Sequence, residues 1–237
     1  MAVTVATHII AFPKAGHAEA EYEDAYALAT DAWPVRAAVT DGATESAFSG
    51  PWAHTLAEAY VNDADVMADQ EAWLSACRVT WAEDTVSADA PLPWYAAAKA
   101  EEGAHAAFLG VSLQADGAYT AHAVGDCCLL HLREGVLHRA WPMDDPDAFT
   151  HHPALLSSRP DAAVPDVQVV TGEVGAGDQL WLATDAVAAY LLHPHRAVDL
   201  ARMSPPKRKA TLRAAQANGK LRNDDSTLLT LSFSADA

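Results

Sequence analysis

The chain has 237 residues, 51% of them hydrophobic, which is enough to bury one sizeable core, and we expect one domain over residues 1–237. Its 15 basic and 32 acidic side chains give a formal net charge of −17, which argues against nucleic acid or an anionic membrane surface as a partner. The three cysteines show neither a disulfide framework nor a zinc-binding spacing, and no stretch approaches the roughly 20 apolar residues of a membrane helix. A cytoplasmic protein is expected.

The first part of the chain is predicted to form short strands followed by helices. Residues 3–11 and 35–40 are rich in β-branched side chains, and the second of these runs directly into Asp41-Gly42. From Ser46 to Trp81, apolar residues recur at helical spacing with one interruption, which predicts two successive helices. Residues 94–102 indicate a further short helical segment.

The second part begins as a meander of antiparallel strands between Ala104 and Trp141, because Asp-Gly and Glu-Gly pairs separate its apolar runs. Residues 142–166 lack any period and predict a long loop, and such loops often cover functional sites. The remaining elements are predicted as a strand, two helices and a strand over residues 178–183, 186–192, 205–218 and 226–233. This order of elements indicates the α+β class.

Acidic residues recur next to the predicted strands. They are Glu23-Asp24 ahead of the apolar run 25–28, Asp41 after residues 35–40, Asp126 after 119–124, Asp185 after 178–183, and Asp224-Asp225 before the last strand. Strand ends can converge on one rim of a sheet, where crowded carboxylates need cations or protons to neutralise them. Oxygen ligands of this kind suit Mg²⁺ or Mn²⁺. Each acid alone is more simply a turn former or a helix cap, whereas five such positions favour a common purpose.

The order and wording of these motifs resemble the metal-dependent type 2C protein phosphatase family (PPM). The motifs that carry the resemblance are Val39-Thr-Asp-Gly-Ala-Thr-Glu-Ser46, Ala123-Val-Gly-Asp126, Leu182-Ala-Thr-Asp-Ala186 and Asn223-Asp-Asp-Ser-Thr-Leu-Leu229. Each motif is short, but together they span about residues 20–232 in the family's order. The resemblance implies a four-layer αββα sandwich, in which two antiparallel sheets are flanked by helix pairs.

The resemblance also implies hydrolysis of phosphoserine and phosphothreonine in proteins with two or three Mn²⁺ or Mg²⁺ ions. Two ions about 3.5–4 Å apart can activate a water and stabilise charge on the attacking and leaving oxygens. By resemblance, the metal ligands are Glu23, Asp41, the Gly42 carbonyl, Asp126 for a further ion, Asp185 and Asp224. Asp41, Asp185 and Asp224 are the expected catalytic centre, and Asp24 and Asp225 are expected to support the ligands.

Two departures from the family pattern concern phosphate binding and proton donation. Many members carry an arginine shortly before the Glu-Asp pair, and this chain has none there; Arg36, Lys14 or His17 are the suggested substitutes, with Arg36 preferred. Some members also carry a histidine after Asp-Gly, where this chain has Ala43. Water is then the expected proton donor to the leaving group.

Two other interpretations stay open. A domain of this fold that has lost turnover would act as a regulatory, phosphoprotein-binding module, and the missing arginine favours it. Alternatively, the acids are ordinary turn residues of an unrelated α+β domain. His151-His152 and His193-Pro-His195 are interpreted as exposed loop residues rather than metal ligands, and Cys128 as a core residue. The oligomeric state is not indicated.

Overall fold

The computed structural model describes residues 3–44, 46, 48–62, 67–86, 102–149 and 153–235. Within these ranges the strands are β1 (Val3–Phe12), β2 (Ala25–Ala29), β3 (Val35–Gly42), β4 (His105–Leu113), β5 (Ala118–Val124), β6 (Cys128–Arg133), β7 (Val136–Trp141), β8 (Leu156–Ser157), β9 (Gln168–Glu173), β10 (Gln179–Ala183) and β11 (Ser226–Ala235). The α-helices there are α1 (Ser49–Asn62), α2 (Gln70–Val86), α3 (Asp185–Leu192), α4 (Arg196–Ala201) and α5 (Pro205–Ala217).

The strands form two antiparallel sheets. The first sheet has the order β1-β11-β10-β6-β7, and the second has the order β2-β3-β4-β5-β9, with β8 paired to β4. Because side chains alternate between the two faces of a strand, every second residue of the central strands points into the space between the sheets. Val35, Ala37 and Val39 of β3 lie there, opposite Leu180 and Leu182 of β10 in the same buried cluster.

Helices cover the outer face of each sheet. On the second sheet, Trp52, Leu56 and Tyr60 recur every fourth residue of α1 and are buried against it together with α2. On the first sheet, Leu191 of α3 and Leu212 of α5 belong to a third buried cluster. The molecule therefore has four layers, αββα, as the resemblance implied. No helix in the described ranges is long and apolar enough to cross a membrane.

The elements missed by the sequence prediction are those with weak patterns. β9 is an edge strand whose side chains are largely exposed, so it lacks a buried hydrophobic face. α4 has only six residues and starts after His195, which adopts a left-handed conformation. The predicted loop 142–166 contains the two-residue strand β8, and the helical segment predicted for 94–102 lies almost wholly outside the described residues.

Gly110 of β4 tests how closely α1 approaches the second sheet. A Cβ atom at this position would lie 2.5 to 2.7 Å from three atoms of the Tyr60 ring. We expect Gly110→Ala to lower the free energy of unfolding by about 1–3 kcal/mol, because the ring is fully buried and has no room to move. Urea denaturation measures this change.

Gly175→Ala is the matched control, since a Cβ there meets nothing within 4 Å. The control should leave stability unchanged or raise it slightly, because alanine restricts the unfolded chain. A Gly110→Ala protein as stable as the wild type would show that the helix does not pack as closely as described.

Candidate metal and phosphate site

The register of the second sheet brings two of the predicted acids to one rim. Asp41, near the end of β3, lies opposite Ala107, near the beginning of β4. Val124, at the end of β5, lies opposite Phe108 of β4. Asp126 follows β5 by two residues, so it stands at the same end of the sheet as Asp41.

The register of the first sheet brings two further acids to the matching rim. Ala183, at the end of β10, pairs with Leu228 near the beginning of β11. Asp185 begins α3 two residues after β10, and Asp224 lies two residues before β11. Short connections therefore hold both carboxylates at this end of the first sheet.

The two rims enclose a cleft of about 500 Å³. Its walls include five residues singled out by the sequence, Asp41, Gly42, Asp126, Asp185 and Asp224. The other residues that line it are Ala43, Thr44, Ser46, His105, Ala107, Pro153, Leu155 and Arg222. The cleft is thus an acidic pocket with a single arginine among its described lining residues, and the predicted loop 142–166 contributes to its wall.

Asp24 does not line the cleft but ties its supporting segments together. Its buried carboxylate oxygen Oδ2 accepts hydrogen bonds from Thr184 Oγ1 at 2.9 Å and Thr227 Oγ1 at 2.6 Å. Thr227 N also donates to Thr184 Oγ1 at 3.1 Å, and the Tyr22 hydroxyl contacts Thr227 Oγ1. Asp24 thereby joins the start of β2 to the residue before Asp185 and to the start of β11.

Asp225 connects the start of β11 to the loop that precedes β2. Its carboxylate accepts from Lys14 N at 2.9 Å through Oδ1 and from Glu23 N at 2.7 Å through Oδ2. The backbone N–H of Asp225 in turn donates to Asp224 Oδ1 at 3.0 Å, which fixes the orientation of that carboxylate in the cleft. The geometry gives both Asp24 and Asp225 a supporting position.

Glu23 lies beside Gly42 but does not line the cleft that contains the other candidate ligands. It lines a neighbouring depression with Lys14 and His17, two of the three residues suggested for phosphate binding. Its carboxylate accepts from Ser49 Oγ at 2.5 Å and lies 3.5 Å from Lys14 Nζ. The structure therefore does not bring Glu23 into the acidic cleft, and its assignment as a metal ligand stays a prediction.

Arg36 also lies away from the cleft. Its Nη1 donates to the carbonyl of Val61 at 2.8 Å. It is five residues before Asp41 on β3, a separation of about 16 Å along an extended strand. This position gives no support to the suggested phosphate-binding role.

Two glycines explain how closely the rim segments approach each other. A Cβ on Gly42 would lie 2.6 Å from the carbonyl oxygen of Glu23, so only glycine allows β3 to pass this loop. Gly125 has φ of +92°, and a Cβ there would lie 2.7 Å from Ala107. That tight turn places Asp126 beside the beginning of β4.

The acids at the rim disfavour each other's ionised forms. Burial, followed by repulsion from Asp24, Asp126 and Asp224, raises the pKa of Asp41 well above its ordinary value. Burial also raises the pKa of Asp126, and it raises that of Asp24 to about 8. In the metal-free protein these carboxyls are therefore neutralised by protons, which a bound cation would replace.

Arg222 is the cation that sequence analysis missed. Its Nη2 atom forms an ion pair with Asp185 Oδ2 and lies 3.6 Å from Asp224 Oδ2. The only sequence signal for it is its place two residues before Asp224. His105 was missed as well; it begins β4, and its Nδ1 lies 3.2 Å from Ser46 Oγ on the cleft wall.

Among the described residues, the other histidines and cysteines singled out from the sequence do not line the cleft. His193 and His195 are exposed, and His151-His152 lie outside the described residues. Cys128 is fully buried in the cluster beneath α3 and α5, in agreement with its interpretation as a core residue. Burial raises the pKa of its thiol to about 12, which disfavours a nucleophilic role.

The cleft residues fit a divalent cation in chemistry and in charge. Their donors are oxygens, as Mg²⁺ and Mn²⁺ prefer, and the buried Oδ1 of Asp185 has no hydrogen-bond partner. In the described part of the chain, no group of three Asp, Glu, His or Cys side chains is close enough together to hold a metal ion without movement. A cation bound at Asp185 would repel the Arg222 guanidinium, which is paired with the other oxygen, Oδ2.

The raised carboxyl pKa values predict how stability depends on pH. Asp24, Asp41 and Asp126 keep their protons in the folded chain at pH values where the unfolded chain, with its ordinary pKa of 3.8, has lost them. The unfolding free energy of the metal-free protein should consequently fall as pH rises through this window. We expect the melting temperature to decline from pH 7 to pH 9, a range that extends past the Asp24 pKa of about 8.

Calorimetric melting with and without Mg²⁺ measures this effect. Above pH 7 the buried histidines are neutral whether the chain is folded or not, so they do not contribute. Burial also raises the pKa of the three cysteine thiols, which add to the decline above about pH 8, so the difference between wild type and Asp24→Asn isolates the carboxyl contribution. Saturating Mg²⁺ should flatten the decline, and Asp24→Asn should reduce it in the metal-free protein. A melting temperature that is level or rises from pH 7 to pH 9 without metal would contradict this electrostatic description.

Comparison with known proteins shows which solved structures have a similar fold. No protein-family model and no curated protein sequence matches the chain. Among solved structures, the catalytic domain of the serine/threonine phosphatase PstP with two manganese ions superposes with a TM-score of 0.67 at 14% identity, covering 98% of this chain and 100% of that one. RsbX in complex with magnesium gives 0.58 at 15% identity, with coverages of 97% and 96%. The photosystem II phosphatase PBCP gives 0.61 at 17%, with coverages of 97% and 98%. The chain has the fold of the PPM-type phosphatases.

Proposed function

We propose that the chain is a metal-dependent phosphatase that hydrolyses phosphoserine and phosphothreonine in proteins. The observation that carries the proposal is the convergence of Asp41, Asp126, Asp185 and Asp224 from both sheets on one cleft. Turn formers and helix caps have no reason to meet in this way, which weighs against the interpretation of the acids as unrelated turn residues. PstP and RsbX, whose folds are similar, contain manganese and magnesium respectively.

Two or three Mn²⁺ or Mg²⁺ ions are the proposed cofactors. Such ions supply Lewis acidity, lower the pKa of a water molecule and neutralise phosphate charge. Asp41 is the proposed bridging ligand, because it stands on the second sheet and faces Asp185 and Asp224 on the first. Gly42 would offer its carbonyl, and Asp126 would hold a further ion.

Asp24 and Asp225 keep this arrangement in place without entering the cleft. Asp24 binds the hydroxyl of Thr184, which immediately precedes Asp185, and Asp225 donates its N–H to Asp224. The N–H of Asp225 therefore orients the Asp224 carboxylate directly, and Asp24 holds the residue that precedes Asp185. Supporting residues of this kind fix the direction of metal ligands in other proteins as well.

The second candidate is a phosphoprotein-binding module without turnover. It is favoured by the ion pair between Arg222 and Asp185, which occupies a carboxylate that metal would need. It predicts that metal binds weakly or that it binds without hydrolysis.

An assay with Mn²⁺ distinguishes these candidates. We expect metal-dependent hydrolysis of an aryl phosphate and of a phosphothreonine peptide. Asp41→Asn and Asp224→Asn should each lower kcat by at least about 100-fold, because each removes a charged ligand from the centre that activates water. Steady-state kinetics and Mn²⁺ calorimetry provide the measurements.

Asp199→Asn, on the exposed face of α4, is the matched control and should keep wild-type rates. Metal binding by the wild type without hydrolysis of either substrate would select the binding module. Absence of Mn²⁺ binding would overturn both candidates.

A further inference from the structure

We propose that Arg222 is a displaceable counter-ion: it pairs with Asp185 and Asp224 in the metal-free protein and binds the phosphate group of the substrate once divalent cations hold those carboxylates. This inference rests on the proposed function and names the residue of this chain that recognises phosphate. It assigns that task to a position between α5 and β11, which is distant in sequence from the arginine position of the family pattern, although Asn223 and Asp225 accept hydrogen bonds from the segment that contains that position.

The contacts of Arg222 are suited to a temporary partner. Its Nη2 is paired with Asp185 and lies 3.6 Å from Asp224, and these are its side-chain ion pairs in the described structure. The arginine side chain is 41% exposed, whereas that of Asp185 is 13% exposed. The guanidinium thus reaches in from the solvent side, and moving it outward breaks no packing in the core.

Metal binding at Asp185 and the ion pair disfavour each other for electrostatic reasons, although Oδ1 of Asp185 has no hydrogen-bond partner. Asp185 Oδ2 belongs to the ion pair, and a divalent cation that takes this carboxylate places at least two positive charges beside the guanidinium. Arg222 is then repelled toward the mouth of the cleft. Its long, partly solvated side chain allows this movement within the same loop.

A phosphate group is the ligand best matched to Arg222 in that second position. The other potential donors that line the cleft in the described residues are the hydroxyls of Thr44 and Ser46 and the imidazole of His105. Burial, followed by the charge of Arg159, lowers the pKa of His105, so this ring is neutral at pH 7. Among the described lining residues the guanidinium is consequently the permanent positive charge, and its planar donors bind phosphate oxygens in pairs. The Lys14 ammonium lies just outside the cleft, where it donates to Thr44 Oγ1 at 3.2 Å and pairs with Glu23.

The test compares Arg222→Gln, Arg222→Lys and the control Lys220→Gln. Lys220 is exposed and belongs to the same segment, but it does not line the cleft. Mn²⁺ calorimetry on the metal-free proteins should show tighter binding by Arg222→Gln, by about tenfold, since no cation then competes for Asp185 and Asp224. Lys220→Gln should match the wild type.

Phosphate recognition is measured on the same variants. In Arg222→Gln, we expect KM for an aryl phosphate to rise about tenfold or more with a smaller change in kcat, because a charged hydrogen-bond partner of the bound phosphate is lost. Binding of inorganic phosphate to the Mn²⁺-loaded protein, followed by calorimetry, should weaken by a similar factor. Arg222→Lys should fall between the two, since it keeps the charge without the paired donors.

These readouts separate the inference from the function on which it rests. If the wild type hydrolyses phosphate esters and Arg222→Gln has an unchanged KM, the inference is wrong and the proposed function stands. If the wild type shows no turnover, phosphate calorimetry still decides, and equal binding by wild type and Arg222→Gln overturns the inference. Unchanged Mn²⁺ affinity in Arg222→Gln overturns the counter-ion role.

Discussion

The crowding of carboxylates at one rim of the sandwich is the constraint on which the rest of the site depends. Antiparallel pairing places Asp41 and Asp126 at one end of the second sheet, and short connections place Asp185 and Asp224 at the matching end of the first. Buried like charges repel strongly, so the folded chain tolerates them only with protons, cations or hydrogen-bond donors. Asp41 is compensated by a proton, Asp185 by the Arg222 cation and Asp225 by hydrogen-bond donors.

The acids divide into two groups according to how they are compensated. Asp24 and Asp225 receive hydroxyl and backbone N–H donors and connect the segments around the cleft. Asp185 instead depends on Arg222, and the raised pKa of Asp41 reflects a charge that its neighbours oppose. The first group connects the segments of the rim, whereas the second group is compensated by a proton or by Arg222, either of which a metal ion would replace. The residues that support the rim therefore lie next to the proposed ligands, as Asp225 does beside Asp224.

The sequence predicted the α+β class and most strands because hydrophobic alternation and Asp-Gly turns report local structure directly. It predicted the acids of the cleft because their motifs are local and follow strands in a recognisable order. It did not predict Arg222 or His105, because neither residue belongs to one of the motifs, although Arg222 directly precedes Asn223-Asp224. Arg36 gains no support because it stands five residues before Asp41, near the opposite end of β3, where its guanidinium donates to the Val61 carbonyl. Glu23 shows that a motif match can lie beside a site without entering it.

The central claim is that divalent cations bind between the carboxylates of the two sheets with Asp41 as the shared ligand. Anomalous diffraction from crystals grown with Mn²⁺ tests this claim most directly. We expect two peaks about 3.5–4 Å apart beside Asp41, as in two-metal sites generally, with Asp185 and Asp224 on the first-sheet side and Arg222 turned away from Asp185. Peaks confined to other acidic surfaces, or an Arg222–Asp185 ion pair that persists in Mn²⁺-soaked crystals without density at Asp41, would contradict the account.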